Sequence, residues 1–272
     1  MARADTIIAG RFAPRDILGS GAWGTVIEVM DLRLRRLVAL KLIRTGPDGM
    51  EPQRIAIEAQ AAARLSHPNI ISVHDAGEGP DYAWIAMDLV IGETLSAALR
   101  RQPALAEAEV ARLGRELLAA LGHAHGRGVL HRDVKPAHIL LATHAGPGPG
   151  TVRLGDFGVA RLGRNSELTA VGGLVGTPAW MAPEQLRGEA IDHRADLWAA
   201  GAIMLEALTG RRPFGHDILG AMHRIQHEPA PVPSALRPGL HPGWDGFFAR
   251  ALAKPAAERF PDAEAMAAAL PL

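Results

Sequence analysis

The most informative part of this chain reads His131-Arg132-Asp133-Val134-Lys135-Pro136-Ala137-His138 and is followed by Gly155-Asp156-Phe157-Gly158. The gap between the two motifs matches a β-hairpin, which would bring Asp133 and Asp156 to one cleft. The stretch 143–150 within the gap is rich in glycine and proline, which is typical of a surface turn rather than a domain linker. The pattern therefore predicts that two acidic side chains share one site.

A glycine-rich motif precedes this region and reads Gly19-Ser20-Gly21-Ala22-Trp23-Gly24-Thr25-Val26. Glycines let a loop pass close over phosphate groups with its backbone N–H groups turned inward. The motif is weak evidence by itself, because the chain contains 30 glycines. A dinucleotide fingerprint requires a helix after the glycines, whereas the residues from Thr25 onward read as a strand. The motif therefore favours a strand–loop–strand cover over a nucleotide.

A lysine lies inside the otherwise apolar strand Val38-Ala39-Leu40-Lys41. A buried lysine is costly unless it is paired with an opposite charge. Lys41 is either a side chain that extends into solvent at a strand edge or a cation for nucleotide phosphates. Glu58, on a helix predicted over Gln53–Leu65, is the candidate partner in the second interpretation. We favour that interpretation because the glycine-rich motif lies one strand upstream.

The overall composition excludes several classes of protein. The 272 residues include 29 basic and 29 acidic side chains and the sequence pI is near 7.2, so nothing indicates a nucleic-acid partner or an anionic membrane. The absence of cysteine excludes disulfides, a thiol nucleophile and a cysteine-ligated zinc. No apolar run reaches the ~20 residues of a membrane span, and residues 1–5 lack a signal-peptide core. We therefore expect a cytoplasmic chain with no membrane segment.

Hydrophobic periodicity divides the chain into a β-rich part and a helical part. Short apolar strands are predicted at Val26–Met30, Leu37–Ile43, Ile70–Val73 and Tyr82–Met87. From about residue 94 onward the apolar residues recur at helical spacing. A nearly fully apolar helix is predicted from Asp196, as its N-cap, to Leu208, with Gly210 as its stop. This order predicts an α+β fold with a small β-rich lobe, a hinge and a larger α-helical lobe.

With these motifs in this order, the sequence resembles the catalytic domain of bacterial (Hanks-type) serine/threonine protein kinases over nearly the whole chain. The motif Ala182-Pro183-Glu184 fits the same resemblance, and so does the helix at Asp196, which would anchor the catalytic loop. Arg259, near the end of the fold, would pair with Glu184. The resemblance implies ATP and Mg²⁺ as ligands, with Mn²⁺ as an alternative metal. The acceptors would be serine or threonine hydroxyls of proteins.

The resemblance also implies how the chain is organised. It predicts a bilobal protein-kinase-like fold, in which a small β-rich N-lobe with one helix precedes a larger α-helical C-lobe. A single catalytic domain would cover residues 1–272, with an N-lobe over about 10–87, a hinge over 88–90 and a C-lobe over 91–270. A homodimer that supports autophosphorylation is a further expectation from the resemblance.

Five side chains take the central roles that the resemblance implies. Asp133 would accept or orient the proton of the substrate hydroxyl, and Lys135 would steady the γ-phosphate. Asp156 would hold Mg²⁺, while Lys41 would contact the α- and β-phosphates with Glu58 as its partner. The remaining nucleotide contacts would come from Leu18, Gly19, Ser20, Gly21, Gly24, Val26, Ala39, Met87, Leu140 and the backbone of Asp88 and Val90.

The sequence departs from the family pattern at His138, where the family has an asparagine that coordinates a second Mg²⁺. Magnesium prefers oxygen ligands, whereas the imidazole nitrogen of a histidine suits Mn²⁺ or Zn²⁺ better. Three hypotheses follow. His138 replaces the amide in hydrogen bonding or as a metal ligand in an active enzyme, the enzyme is slow or prefers Mn²⁺, or the chain is a nucleotide-binding pseudokinase scaffold. Retention of all five central side chains argues against the scaffold.

Hydroxyl side chains lie in the segment before the Ala-Pro-Glu motif. Ser166 and Thr169 are candidate autophosphorylation sites, with Thr169 favoured, and Arg132 would be a cation ready for the phosphate. An ordinary solvated loop is the alternative for this segment. Thr177 would instead contact Asp133 and support catalysis. A small-molecule kinase of related fold is disfavoured, because the resemblance implies a peptide-binding platform around the Ala-Pro-Glu motif.

Overall fold

The N-terminal part of the chain forms a five-stranded antiparallel sheet in the computed structural model. The structure describes residues 7–21, 24–45, 52–143, 150–157 and 178–271, without the side chains of residues 52–54 and 58. The strands are β1 (Phe12–Gly21), β2 (Gly24–Asp31), β3 (Arg36–Arg44), β4 (Val73–Glu78) and β5 (Tyr82–Met87), in the order β1-β2-β3-β5-β4. One helix, α1 (Pro52–Ala63), separates β3 from β4. The predicted β-rich lobe with one helix is confirmed.

The two faces of this sheet bury separate apolar clusters. Phe12 and Trp84 pack edge to face on one side, with their ring centroids 5.0 Å apart, and Leu40 of β3 joins them. Successive side chains of a strand point to opposite faces. Ile43 therefore enters the other cluster, against α1, and Lys41 faces the same side of the sheet. This alternation directs a charged side chain towards the interior between the sheet and the rest of the molecule.

The second part of the chain is mainly helical, as predicted. Its helices are α2 (Leu95–Arg101), α3 (Glu107–His125), α4 (Pro183–Leu186), α5 (Arg194–Thr209), α6 (Ile218–His227), α7 (Pro233–Leu236), α8 (Gly243–Ala251) and α9 (Ala263–Ala268). The main core forms around α3 and α5 and contains Trp198 and Trp244, both fully buried. In the described ranges, no helix combines the length and the apolar character that a membrane crossing requires.

A small sheet of three strands carries the residues around the predicted cleft. It consists of β6 (Gly92–Thr94), β7 (Ile139–Ala142) and β8 (Thr151–Leu154), in that order. β7 and β8 are antiparallel neighbours, with Ile139 opposite Leu154. The register brings the end of the first motif next to the start of the second. The β-hairpin predicted between the two motifs is therefore confirmed.

The strand predicted at Ile70–Val73 is wrong in its position, because β4 begins only at Val73. The backbone of residues 69–71 instead forms hydrogen bonds with β8. Ile71 N donates to Leu154 O at 2.9 Å, and Leu154 N donates to Asn69 O at 2.8 Å. These residues connect the large sheet to β8, so their apolar character reflects burial between the two parts of the molecule.

The N-cap predicted at Asp196 is also wrong. α5 begins at Arg194 with His193 as its N-cap residue, and Asp196 lies within the first helical turn. The Asp196 carboxylate instead accepts hydrogen bonds from the distant backbone of His131 and Arg132. The predicted stop at Gly210 is confirmed, because this residue has the left-handed φ of 71° that ends many helices.

A buried ion pair joins α4 to the C-terminal end of the fold. Arg259 donates through Nη1 to Glu184 Oε1 at 2.7 Å and through Nη2 to Oε2 at 2.8 Å. Both residues are buried, and the Arg259 side chain also donates to the carbonyl oxygens of Ala253 and Lys254. The predicted pairing of these two residues is present in the structure. Its two parallel bonds fix the position of α4.

We expect Arg259→Met to reduce the free energy of unfolding by about 3–5 kcal/mol, because it leaves the Glu184 carboxylate buried without its partner. Chemical denaturation of the purified protein measures this change. Arg101→Met is the matched control, since Arg101 pairs with Glu93 at the surface, and it should leave stability nearly unchanged. Equal stability losses in the two variants would contradict a special role for the buried pair.

Candidate active site

Lys41 and Asp156 form the ion pair that connects the large sheet to the residues after β8. Lys41 Nζ lies 2.5 Å from Asp156 Oδ1, and the Lys41 side chain is only 9% exposed. β3 lies between β2 and β5 in the sheet, so Lys41 is not at a strand edge. The surface interpretation of this lysine is therefore wrong. Glu58 lies on α1, but its side chain is outside the described residues, and its pairing with Lys41 stays a prediction.

The environment of Asp156 keeps its carboxylate ionised. Burial alone would raise the pKa of Asp156, but the charge and hydrogen bond of Lys41, together with the neighbouring His138 and His131, hold the pKa well below its usual value. The backbone of Asp156 has a φ of 59°, which is uncommon for a residue with a side chain. The next side chain, Phe157, packs on the His131 ring at a centroid distance of 4.7 Å.

The segment 131–138, which is the catalytic loop in the resemblance, places Asp133, Lys135 and His138 next to one another. Lys135 Nζ donates to Asp133 Oδ2 at 2.7 Å. His138 lies between the two carboxylates, with Nδ1 3.8 Å from Asp133 Oδ2 and Nε2 3.4 Å from Asp156 Oδ2. The two acidic residues thus share one site, as the hairpin predicted. With Lys41 they form a continuous series of charged and polar side chains.

Hydrogen bonding determines which nitrogen of His138 carries a proton. Nδ1 lies 3.0 Å from the carbonyl oxygen of Asp133, and because a carbonyl only accepts, Nδ1 must donate. Burial, assisted by the charge of Lys135, lowers the pKa of His138 to about 4, against the opposing effect of the carboxylates. The ring is therefore neutral near pH 7, and Nε2 directs a lone pair towards Asp156.

Asp196 fixes the start of the catalytic loop from α5. Its Oδ2 accepts from His131 N at 2.9 Å, and its Oδ1 accepts from Arg132 N at 2.7 Å. Burial would raise the pKa of Asp196, but hydrogen bonds and charge from His125 and His131 hold it below its usual value. His131 Nε2 in turn donates to Gly155 O at 2.8 Å. The two motifs are thus tied together through one buried histidine.

The described part of the glycine-rich motif forms the ends of two paired strands. Gly19 lies opposite Val26 in the β1–β2 register, and Val26 lies opposite Lys41. Gly24 has a φ of 130°, and a side-chain carbon at this position would lie 1.9 Å from the Leu42 carbonyl oxygen. Only glycine therefore fits at this position. The predicted strand–loop–strand arrangement is confirmed for the residues that the structure describes.

The other predicted nucleotide contacts lie around the same region. Met87 is opposite Ala39 in the β3–β5 register, and Leu140 is on β7. Met87 also lines a small cavity next to Lys41 and Asp156, with a volume of about 30 Å³. The structure places the remaining predicted contacts in β1, in β2 and just after β5: Leu18, Gly19, Ser20, Gly21, Gly24, Val26, Asp88 and Val90.

Sequence analysis missed the group that fixes the residue after β5. Arg153 of β8 donates to Asp88 Oδ2 at 2.6 Å and to the Pro68 carbonyl oxygen at 3.0 Å. His74 Nε2 lies 3.0 Å from Asp88 Oδ1, and the Asp88 backbone N–H donates to Ser72 O. Neither Arg153 nor His74 belongs to a recognisable motif. Asp88 is their shared partner, and only the folded structure shows this, because His74 of β4 and Arg153 of β8 come together next to it.

Several predictions fall on residues outside the described ranges. Ser166, Thr169 and Thr177 all lie within 158–177, so their roles remain predictions.

Asp156 and His138 were predicted as metal ligands, and they are neighbours in the structure. Among the residues that the structure describes, no three His, Asp or Glu side chains converge on one metal position. A metal held here would therefore need further oxygen ligands from a bound molecule or water.

Comparison with known proteins identifies the family. The model of the protein kinase domain matches residues 12–237, which is most of the chain. The chain therefore belongs to the protein kinase family, as its motifs, lobes and site geometry indicate.

Its relatives include named bacterial kinases. The chain is 39% identical over 97% of its length to the serine/threonine-protein kinase pkn3 of Myxococcus xanthus, and it covers 50% of that protein. It is 38% identical to the serine/threonine-protein kinase PknD of Mycobacterium tuberculosis, over 96% of this chain and 40% of the relative. A probable serine/threonine-protein kinase PknB of Bifidobacterium longum is 34% identical over 93% of this chain. The chain thus spans half or less of the length of these relatives, 38% for the last.

We expect Arg153→Met to weaken binding of a non-hydrolysable ATP analogue about fivefold, because Asp88 loses the cation that fixes its position after β5. Isothermal titration calorimetry measures the dissociation constant. Arg153→Lys keeps the charge and should recover part of the affinity, while Arg101→Met controls for the loss of a surface arginine. An unchanged dissociation constant in Arg153→Met would show that Arg153 does not support nucleotide binding.

Proposed function

We propose that this chain carries an ATP-dependent protein kinase domain that phosphorylates serine and threonine hydroxyls of proteins. The observation that carries the proposal is the continuous series Lys41, Asp156, His138, Asp133 and Lys135 on a protein kinase fold. The printed names of the relatives, all serine/threonine-protein kinases, support the same acceptor class. We further propose one catalytic domain over residues 1–272, in a cytoplasmic setting where ATP is available.

The chemistry that we propose needs positioning more than covalent catalysis. The acceptor oxygen forms a bond to the γ-phosphorus while the bond from that phosphorus to the β,γ-bridging oxygen breaks, which releases ADP. Asp133 takes the hydroxyl proton as the new bond forms, and the proton then passes to solvent. Lys135 donates to Asp133 and presents its positive charge beside the carboxylate, where it can stabilise the transferring phosphoryl group.

The nucleotide would lie between the glycine-rich strands and the catalytic loop. Lys41 is the cation for the α- and β-phosphates, and its pairing with Asp156 keeps it directed at the site.

In this proposal, the apolar walls of the adenine site come from Leu18, Val26, Ala39 and Leu140. The backbone of Asp88 and Val90 would hydrogen-bond the edge of the base. The phosphates would lie under Gly19, Ser20 and Gly21. The proposal also keeps the predicted roles of Thr177, as a contact of Asp133, and of Glu58, as the partner of Lys41. Met87 completes the adenine pocket.

The residues present fit a divalent metal ion. His138 Nε2 and the Asp156 carboxylate lie 3.4 Å apart, and both an imidazole nitrogen and a carboxylate oxygen could serve as ligands to such an ion. Asp156 and His138 would hold the ion, together with phosphate oxygens of the nucleotide. When bound, Mg²⁺ or Mn²⁺ would neutralise charge on the phosphates.

His138 supports an active enzyme more than a scaffold. Its Nδ1 donates to the backbone of Asp133, so it fulfils the hydrogen-bonding part of the role that the resemblance assigns to asparagine. The relatives give no support to the pseudokinase alternative, since all carry kinase names. Homodimer formation and autophosphorylation at Thr169 or Ser166 remain part of the proposal.

Asp133→Asn should lower phosphate transfer by at least about a hundredfold, because the amide cannot accept the hydroxyl proton. The assay follows label from ATP into the protein itself and into a generic protein acceptor, and mass spectrometry locates the modified residues. Binding of the ATP analogue should stay close to wild type, which controls for folding. Wild-type protein that binds the analogue but labels neither acceptor would contradict the proposed activity.

His138→Asn should shift metal preference from Mn²⁺ towards Mg²⁺ by about tenfold, because an amide oxygen replaces an imidazole nitrogen. Electron paramagnetic resonance of Mn²⁺, with the ATP analogue bound and Mg²⁺ as competitor, measures the ratio of the two affinities without any turnover. His74→Asn is the matched control, since His74 pairs with Asp88, which is not one of the proposed metal ligands. An identical ratio in wild type and His138→Asn would exclude Nε2 as a ligand.

A further inference from the structure

The backbone of Arg132 adopts an uncommon conformation immediately before Asp133. Its φ is 67°, in the left-handed region that residues with side chains rarely occupy. Such a conformation persists only when the surroundings hold it in place, and it occurs often at functional sites. The direction of the Asp133 side chain depends on this backbone. The contacts that hold Arg132 and Asp133 therefore determine the geometry of the site.

Side chains of Asp196, His131 and His138 hold three of the backbone polar groups of the dipeptide Arg132-Asp133. Asp196 accepts from Arg132 N at 2.7 Å, and His131 Nδ1 accepts from Asp133 N at 3.4 Å. His138 Nδ1 donates to Asp133 O at 3.0 Å. The remaining group is the carbonyl oxygen of Arg132. Its partner comes from a different element and belongs to none of the motifs used above.

Gln185 of α4 supplies that partner. Its Nε2 donates to the Arg132 carbonyl oxygen at 2.9 Å, across 53 positions of sequence. Its Oε1 accepts from Ala182 N at 2.9 Å, at the start of the same helix. The two bonds fix the orientation of the amide, because a carbonyl needs a donor and an N–H needs an acceptor. The neighbouring Glu184 is anchored by Arg259, so Gln185 is attached to a fixed helix.

We propose that Gln185 is a positioning residue for Asp133, which acts by holding the Arg132 carbonyl and so maintaining the left-handed backbone before the catalytic carboxylate. The proposal rests on the proposed kinase function and deepens it. The two hydrogen bonds of the Gln185 amide go to the backbone of Arg132 and Ala182, so its effect would reach the chemistry through the backbone. Gln185 would also connect α4, the helix that follows residues 158–177, to the catalytic loop. One amide would then hold both Asp133, which accepts the proton, and the side of the site that faces the protein substrate.

Two substitutions separate the two hydrogen bonds of Gln185. Gln185→Glu keeps an oxygen that accepts from Ala182 N, but it presents a second oxygen instead of a donor to the Arg132 carbonyl. Gln185→Met has a similar length and loses both bonds. We expect both variants to lower kcat for a protein acceptor by about tenfold to a hundredfold. The KM for ATP and the dissociation constant of the ATP analogue should change by less than about twofold, because the nucleotide contacts are untouched.

A role limited to capping α4 predicts a different result, since Gln185→Glu would then behave like wild type while Gln185→Met would be impaired. Wild-type kcat in Gln185→Glu therefore overturns the proposal, and so does a parallel loss of nucleotide affinity in both variants.

Crystal structures of both variants give a readout that does not depend on transfer. Arg132 should leave the positive-φ region in them, and an unchanged Arg132 overturns the proposal even if wild-type protein proves inactive. Inactive wild type with a displaced Arg132 in the variants would contradict the proposed function and support the positioning role.

Discussion

The left-handed backbone of Arg132, immediately before Asp133, is the constraint on which the rest of the site depends. Side chains satisfy each of its four N–H and C=O groups: Asp196, Gln185, His131 and His138. These side chains come from α5, from α4 and from the catalytic loop itself. A backbone in an uncommon conformation needs such over-determined surroundings. The helical lobe therefore fixes the conformation of this dipeptide, and the buried helix α5 contributes the Asp196 carboxylate that binds it.

The Lys41–Asp156 pair makes the corresponding connection to the sheet. It joins the central strand β3 to the residues after β8, so it adds a charged contact to the backbone hydrogen bonds between Leu154 and residues 69 and 71. Both groups are also the ones that the proposed nucleotide and metal would engage. Low exposure weakens solvent screening of this pair, so the attraction between its charges is stronger than at the surface. Nucleotide phosphates and a metal would therefore interact with Lys41 and Asp156 side chains that already pair with each other.

The sequence predicted the groups that lie within short motifs. Apart from the Glu184–Arg259 pair, which the resemblance implied, it did not predict the contacts between distant elements. The β-hairpin was predicted from the gap between the motifs, and the Glu184–Arg259 pair from the resemblance. Asp196 was misassigned because helix capping is a local preference, whereas its real partners lie 64 and 65 positions away. Gln185 and Arg153 were missed for the same reason, because a hydrogen bond across the fold leaves no periodic or spaced pattern in the sequence.

The Glu184–Arg259 pair also has a consequence for the order in which the site assembles. It closes a loop of 75 residues in a chain that has no cysteine, and loop closure of this length has an entropic cost that only a formed core can offset. On the ribosome, Arg259 emerges long after the catalytic loop and α4 have been synthesised. Until then α4 lacks its anchor, and so does the amide of Gln185 that holds Arg132. The nascent chain therefore completes the contacts around Arg132 late, after residues 131–138 and α4 have already left the exit tunnel.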